Sequence, residues 1–403
     1  MRILLLVTLL ALAAAGGEPR AVDAKEWKRI RKLLPTYLWQ PHKKKRARAV
    51  ATWGERAYDD VRLTKAQYRQ LGRLLRDGSP FTTEKKRARA FDVATGEGDE
   101  RVAVRAIITT KYKPGCGRSF PLILSLHGGP AATDRAARSG MNQQYALWQS
   151  YAQTARGIVA CPAIAGDQSG PREWTILQNI VTELDRVYNV DRDRILLTGH
   201  SWGGILSWQL GPRHAADLAA LAPFVCAVNP GRRHLANCRN LPIYSVQGRR
   251  DIPWILKTGR ERIEVLKELG YEHVYRELPG GHDSFRTEFA KIVEWFSARP
   301  RRLYARELTR RGGVGTDWYW LRTERTSFDA RIVDDHTLDV EAGGPCEVFL
   351  SDEMVDLDAD VVIRRDGHEA FRGRVVRRLG FTLQHVRETG DRARVFAASV
   401  RLE

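Results

Sequence analysis

The sequence predicts an α/β protein: a doubly wound, mostly parallel sheet, with a helical N-terminal extension and a small antiparallel β-domain at the C-terminus. Three observations carry that prediction. Between residues 96 and 302, short apolar runs alternate with helical stretches, the pattern of strands joined by crossover helices. After Arg302 the runs become short and alternating, with turn signals such as Gly343-Gly344-Pro345 and Asp366-Gly367 between them, as in a sandwich of antiparallel strands. Before residue 96 the chain is rich in Lys and Arg and helical in pattern. The 403 residues suffice for a domain of about 200–250 residues plus accessory parts.

Residues 1–16 read as a signal peptide. Arg2 gives a positive start, an apolar run follows from Ile3 to Leu12, and Ala13-Ala14-Ala15-Gly16 supplies small residues for cleavage. The run is too short to span a bilayer, so the expectation is a secreted or periplasmic chain with no stable membrane span. Residues 17–95 form the basic extension. One helix is expected from Ala24 to Leu34, stopping before Pro35, and another after Thr64, where Gln67 three residues on completes a capping box, running to Gly78. The basic runs at 42–49 (HKKKRARA) and 85–89 (KKRAR) lack interleaved aromatics, and read as solvated faces or linkers.

Within 96–302, residues 102–108 read as an edge strand. Phe120–Leu126 (FPLILSL) is apolar almost throughout, as expected of a strand covered on both faces. Further strands are expected near 157–160, 194–198, 224–228, 242–247 and 273–278. Helices are expected near 141–156, 175–188, 204–214, 257–269 and 284–298. In 303–403, strands are expected at 330–333, 338–340, 347–350, 361–364, 374–376 and 394–400.

Composition is that of a globular chain, not a disordered or membrane one. The net charge of +18 favours acidic partners such as polyanionic polysaccharide, or reflects solvated Arg; no nucleic-acid signature accompanies it. The five cysteines show no CxxC pair and no Cys/His cluster at zinc spacing, so neither metal nor cofactor is expected. Cys226 and Cys238 are close enough in sequence to clip a loop. Cys161 and Cys226 sit in apolar runs and read as packing residues.

The strongest local signal is Gly199-His200-Ser201-Trp202-Gly203-Gly204, which follows the strand at 194–198 and precedes a helical stretch. A nucleophilic serine must stand on a tight strand-to-helix turn, and small residues two before and two after it permit the crowding. The helix dipole adds stabilisation of developing negative charge. Upstream, Leu126-His127-Gly128-Gly129-Pro130 ends the buried strand. Acyl transfer needs N–H donors aimed at an oxyanion, and the candidates are Trp202, Gly128 and Gly129. An acid and then a base should follow, each just past a strand. Asp251 and His282 satisfy that order. Ser201 is then the nucleophile, His282 the base, and Asp251 the group that orients the ring. Asp283 is adjacent to His282 and poorly placed to orient it; His127 and His200 read as structural. Trp174 and Trp254 lie on segments expected near the carboxyl edge of the sheet, where ligands bind, and are the candidate substrate contacts.

These motifs carry a resemblance. With the run Tyr188-Asn189-Val190-Asp191 and with Gly270-Tyr271 before the last strand, residues from about 95 to 300 resemble the α/β-hydrolase superfamily. Within it they are similar to polyhydroxybutyrate-depolymerase-like and feruloyl-esterase-like enzymes and to the catalytic domains of prolyl-oligopeptidase-like peptidases. The resemblance implies a serine hydrolase acting on an ester or peptide substrate, with a polymeric or anionic one included. An esterase ranks first, because the stretch before residue 95 is too short for the β-propeller of the peptidases. The alternatives are a serine peptidase and a polyanion-binding surface protein with a vestigial hydrolase domain.

Overall fold

A computed structural model describes residues 19–129, 132–151, 156–165, 170–227, 231–313 and 317–403. The expected signal peptide lies outside the described residues.

The extension contains β1 (Arg20–Ala21), α1 (Ala24–Trp39), α2 (Lys43–Glu55), β2 (Val61–Arg62) and α3 (Lys65–Asp77). The capping box forms as expected: Gln67 N–H donates to Thr64 Oγ1 at 3.2 Å and Thr64 N–H to Gln67 Oε1 at 2.9 Å. Pro35 does not stop α1; it lies inside it. Tertiary packing outweighs its missing donor, because Ile30, Leu34 and Tyr37 are all buried on one face. The run at 42–49 is not a linker either. It is most of α2, which buries Ala49 and Trp53 and leaves its Lys and Arg in solvent.

Next come β3 (Ala88–Ala94), β4 (Arg101–Ile108), β5 (Phe120–Leu126), α4 (Asp134–Gln149), β6 (Ile158–Pro162), α5 (Pro171–Tyr188), β7 (Val190–His200), α6 (Trp202–Leu210), β8 (Ala220–Phe224), α7 (Gly231–Leu235), β9 (Ile243–Gly248), α8 (Pro253–Glu268), β10 (His273–Leu278) and α9 (Glu288–Ser297). The strands form one eight-stranded sheet in the order β10-β9-β8-β7-β5-β6-β4-β3. β4 runs antiparallel to both β3 and β6, and every other pairing is parallel. The alternation along β5 explains its unbroken apolar run. Leu122, Leu124 and Leu126 point into a core shared with α5, α6 and α8, while Ile123 points into a second core shared with α4 and α9.

Two elements differ from the sequence expectation in instructive ways. α4 begins seven residues before 141 because Thr133 caps it, accepting from Ala136 N–H at 3.3 Å. Gly140 lies inside the helix, at a point where a Cβ would lie 2.6 Å from His127 Nδ1. β8 ends where the strand at 224–228 was expected to begin. The positive φ of Val225 (41°) turns the chain out of the sheet there.

The C-terminal part contains β11 (Glu307–Arg311), β12 (Asp317–Trp318), β13 (Leu321–Arg322), β14 (Ser327–Ile332), β15 (Thr337–Glu341), β16 (Cys346–Leu350), β17 (Asp360–Arg365), β18 (His368–Arg374), α10 (Leu379–Thr389) and β19 (Ala398–Leu402). A five-stranded sheet, β11-β14-β15-β17-β18, accompanies a four-stranded one, β12-β13-β16-β19. All pairings are antiparallel except β15 with β17. The helix α10 was not expected; strands were expected on either side of it. It is specified by long-range packing: Leu379 and Leu383 are buried, and Gly380 lies so near the extension that a Cβ would sit 2.4 Å from Asp59 O.

Buried arginines join the parts. Arg392, 6% exposed, reaches Asp185 of α5, the carbonyls of Leu75 and Arg76 in the last turn of α3, and Val190 O of β7. Arg301 lies between Asp193 Oδ1 (2.9 Å) and Asp391 Oδ2 (2.6 Å). All five cysteines are free, so Cys226 and Cys238 form no clip; both are buried.

Burial alone would raise the Asp391 carboxyl, but Arg301 and Arg394 hold it below its ordinary value; Asp193, at the edge of the same group, is raised by its burial. A folded-state value below the unfolded one means that the Asp391 contribution is complete above about pH 4 and is lost as pH falls further. We expect Arg301→Ala to lower stability by about 3 kcal/mol at neutral pH, because it removes the shortest ion pair of each of two buried carboxylates and leaves them only Arg76 and Arg394 at 3.5 Å. Urea melts at pH 7 and pH 3 check this: below about pH 4 the ion-pair contribution is being lost, so the gap between wild type and variant should narrow in acid.

Candidate active site

Ser201 occupies the turn between β7 and α6 with φ 54° and ψ −113°, a conformation that a residue other than glycine holds only under tertiary constraint. The constraint is close backbone packing. A Cβ on Gly199 would lie 2.3 Å from the Gly203 carbonyl, one on Gly203 would lie 2.4 Å from Leu126 O, and one on Gly204 would lie 2.7 Å from Phe224 O. The turn is also tied to β8, since Ser201 N–H donates to Phe224 O at 3.0 Å. The start of α6 adds a helix N-terminus directly after the serine.

Asp251 follows β9 and His282 follows β10, as the chain order requires. The two loops clasp each other: Arg249 N–H donates to Leu278 O and Arg250 N–H to Gly280 O, both at 2.8 Å. The approach is so close that a Cβ on Gly248 would lie 2.0 Å from Gly281 O. The His282 ring is thereby brought between the other two groups. Its Nδ1 lies 2.9 Å from Asp251 Oδ1 and 3.2 Å from Oδ2, and its Nε2 lies 2.8 Å from Ser201 Oγ. With Nδ1 donating to the carboxylate, Nε2 is left to accept the serine hydroxyl. The Asp251 carboxylate is fully buried, while the imidazole is 34% exposed. Asp251 also accepts from Ile252 N–H at 2.7 Å, which fixes its plane.

Asp283 does not orient the ring. Its carboxylate accepts from Gly281 N–H at 3.1 Å and shapes the turn that carries His282. His127 is buried, with Nε2 3.1 Å from Ile164 O, a structural imidazole as expected. His200 lies beside His282, ring centroids 5.4 Å apart, and burial, followed by the neighbouring His282, pushes its pKa down.

Gly128 stands against the serine turn: a Cβ on it would lie 2.9 Å from His200 Nδ1 and 3.4 Å from Ser201 Cβ. Gly129 has φ 83° and open space around its missing side chain. Trp202 heads α6 and is 38% exposed. Of the three candidate oxyanion donors, Gly128 and Trp202 thus border the serine. Trp254 is 58% exposed three residues past Asp251, next to exposed Ile252. Trp174 is different. It is buried and stacks on His214 at 3.9 Å with an interplanar angle of 6°, beside a cavity of about 70 Å³ bordered by Asp217, Asp391 and Arg394. Its ring is packed in the interior against His214. The first turn of α5 faces the C-terminal part, which sequence periodicity does not reveal. Reasoning from sequence also missed Gly248, whose lack of a side chain brings Asp251 and His282 together; its only signal is its place before Asp251.

No protein-family model matches the chain. A bifunctional acetylxylan esterase/xylanase of Neocallimastix patriciarum is 27% identical over 137 residues, covering 32% of this chain and 19% of that protein. The chain thus spans about a fifth of the curated relative it matches. Among solved structures, a thermostable esterase superposes with a TM-score of 0.46 at 21% identity, over 53% of this chain and 64% of that one. A ferulic acid esterase gives 0.42 at 14%, over 53% and 99%. An acylaminoacyl peptidase of Pyrococcus horikoshii gives 0.41 at 14%, over 53% and 42%. The strand order, the antiparallel pairing of β4 with both β3 and β6 at the sheet's edge, the helices on both faces and the three strand-end side chains are this chain's own, and by them it has the fold of the α/β-hydrolase superfamily.

Proposed function

We propose that the protein is an exported serine hydrolase that cleaves a carboxylic ester, a polysaccharide acyl group or a polyester, through an acyl-enzyme on Ser201. The observation that carries this reading is the unbroken hydrogen-bonded line from Ser201 Oγ through the His282 ring to the buried Asp251 carboxylate. In this mechanism His282 Nε2 takes the hydroxyl proton as Ser201 Oγ attacks the ester carbonyl, and Asp251 stabilises the imidazolium that forms. The N–H groups of Trp202 and of Gly128 or Gly129 receive the oxyanion. His282 then returns the proton to the leaving alcohol. Water, deprotonated by the same ring, releases the acid. The partly exposed imidazole suits an acyl group presented on a polymer. The name of the Neocallimastix patriciarum protein supports an acetylated polysaccharide as the first substrate to try. The pattern of residues 1–16 supports export.

Ser201→Ala should abolish labelling by a fluorophosphonate and lower kcat on a short-chain aryl ester by about 10⁶-fold, and Asp251→Asn by about 10⁴-fold. An aryl ester turned over equally by Ser201→Ala would overturn the mechanism. Amide turnover comparable with ester turnover would replace the esterase reading by a serine peptidase. The secreted protein should begin near Gly16 or Gly17, which intact mass measures directly.

Gly203→Ala sets a methyl against Leu126 O, and we expect it to destabilise by about 1–3 kcal/mol or more and to depress kcat beyond what a thermal melt explains, since the displaced turn carries Ser201. Gly98→Ala, at a glycine with no neighbour within 4 Å, should leave kcat unchanged.

A further inference from the structure

The C-terminal part holds a groove of about 780 Å³ between β16, β18, β19 and α10, within the size range of ligand sites. Its walls include the half-buried rings of Phe371 and Phe381. Deeper in, His385 is 3% exposed, and its Nε2 finds no hydrogen-bond partner among the described residues. Burial pushes the His385 pKa down to about 4, so at neutral pH the ring is an uncharged donor and acceptor.

The rim carries Arg374, Arg378 and Arg401, all exposed. Arg401 meets Glu347 only at 3.5 Å with its side chain 79% exposed, a pairing of little strength. Glu347 is already engaged by Arg322 at 3.3 Å and by the Ser399 hydroxyl at 2.6 Å. Arg378 makes no ion pair among the described residues. Of the other two lining guanidinium groups, Arg322 pairs with Asp317 at 2.6 Å and Arg374 with Asp360 at 3.1 Å, which leaves Arg378 and Arg401 as the weakly engaged cations of the rim. Guanidinium forks pair with carboxylates in two-point geometry.

We propose that this groove binds a carboxylated oligosaccharide, its uronate groups held by Arg378 and Arg401 and its ring faces against Phe371 and Phe381. The flat apolar walls fit the C–H face of a pyranose, and the row of rim cations fits a chain whose charge repeats along its length. The inference is independent of the chemistry at Ser201.

The test is calorimetric titration of the full chain with tetragalacturonate, with neutral xylotetraose as comparison, at two salt concentrations. Tetragalacturonate should bind, more weakly at high salt, and xylotetraose at least tenfold less tightly. The Arg378→Ala/Arg401→Ala double variant, at two exposed positions, should weaken tetragalacturonate at least tenfold with the melt and the aryl-ester kcat unchanged. Phe381→Ala should weaken both sugars. Absence of binding at millimolar tetragalacturonate, wild-type affinity in the double variant, or equal affinity for xylotetraose would each overturn the proposal.

Discussion

The site depends on one steric constraint: the backbone contact among Gly199, Gly203 and Leu126. Side chains at either glycine would overlap backbone atoms at 2.3–2.4 Å, so β7 can turn into α6 this tightly only without them. That approach holds Ser201 at a positive φ and seats α6 against the carboxyl ends of β5 and β8. The same device recurs across the cleft, where Gly248 lets the Asp251 loop press against the loop carrying His282. Strain and crowding at two turns thus fix three side chains from three separate strand ends, which is the preorganisation acid–base and nucleophilic chemistry requires.

Charge has a second, structural use here. From composition, a net charge of +18 suggests a positive surface, and α2 indeed carries one. Yet Arg301, Arg377, Arg392 and Arg394 are each at most 6% exposed. They bind carboxylates and orphan carbonyls where the extension, the sheet and the C-terminal part meet. Such groups are held in place because removing either partner leaves a buried charge, and they bring distant segments into one register. Tyr68 of α3 belongs to the same junction, its hydroxyl donating to Val395 O at 2.8 Å.

Much of the sheet was legible because β5, β6 and the second half of β7 are apolar on both faces, and runs that short between turn residues have the length of strands and not of helices. α3 was legible because its cap is local chemistry, completed within four residues. Elements set by distant contacts were not. Pro35 inside α1, Gly140 inside α4 and Gly380 inside α10 each break a local rule, and each is overruled by packing against a segment far away in sequence. Trp174 illustrates the same point for function: its strand-side position suggested the cleft, and its burial against His214 places it in the interior.

The sequence by itself determined the order of events at the site: a serine on a glycine-flanked turn, then an acid, then a base, each past a strand, because that order follows from short-range motifs and strand periodicity. It also determined which loop could supply N–H donors. Only the tertiary structure decided that His282 lies between Asp251 and Ser201 and not beside Asp283, since the distance is set by two loops packing through Gly248 and Gly281. Only it decided that the arginines divide between surface and interior, and that the C-terminal strands leave an arginine-rimmed groove beside an unforeseen helix. Those features arise from contacts between residues tens to hundreds of positions apart, and no local pattern encodes which of them will meet.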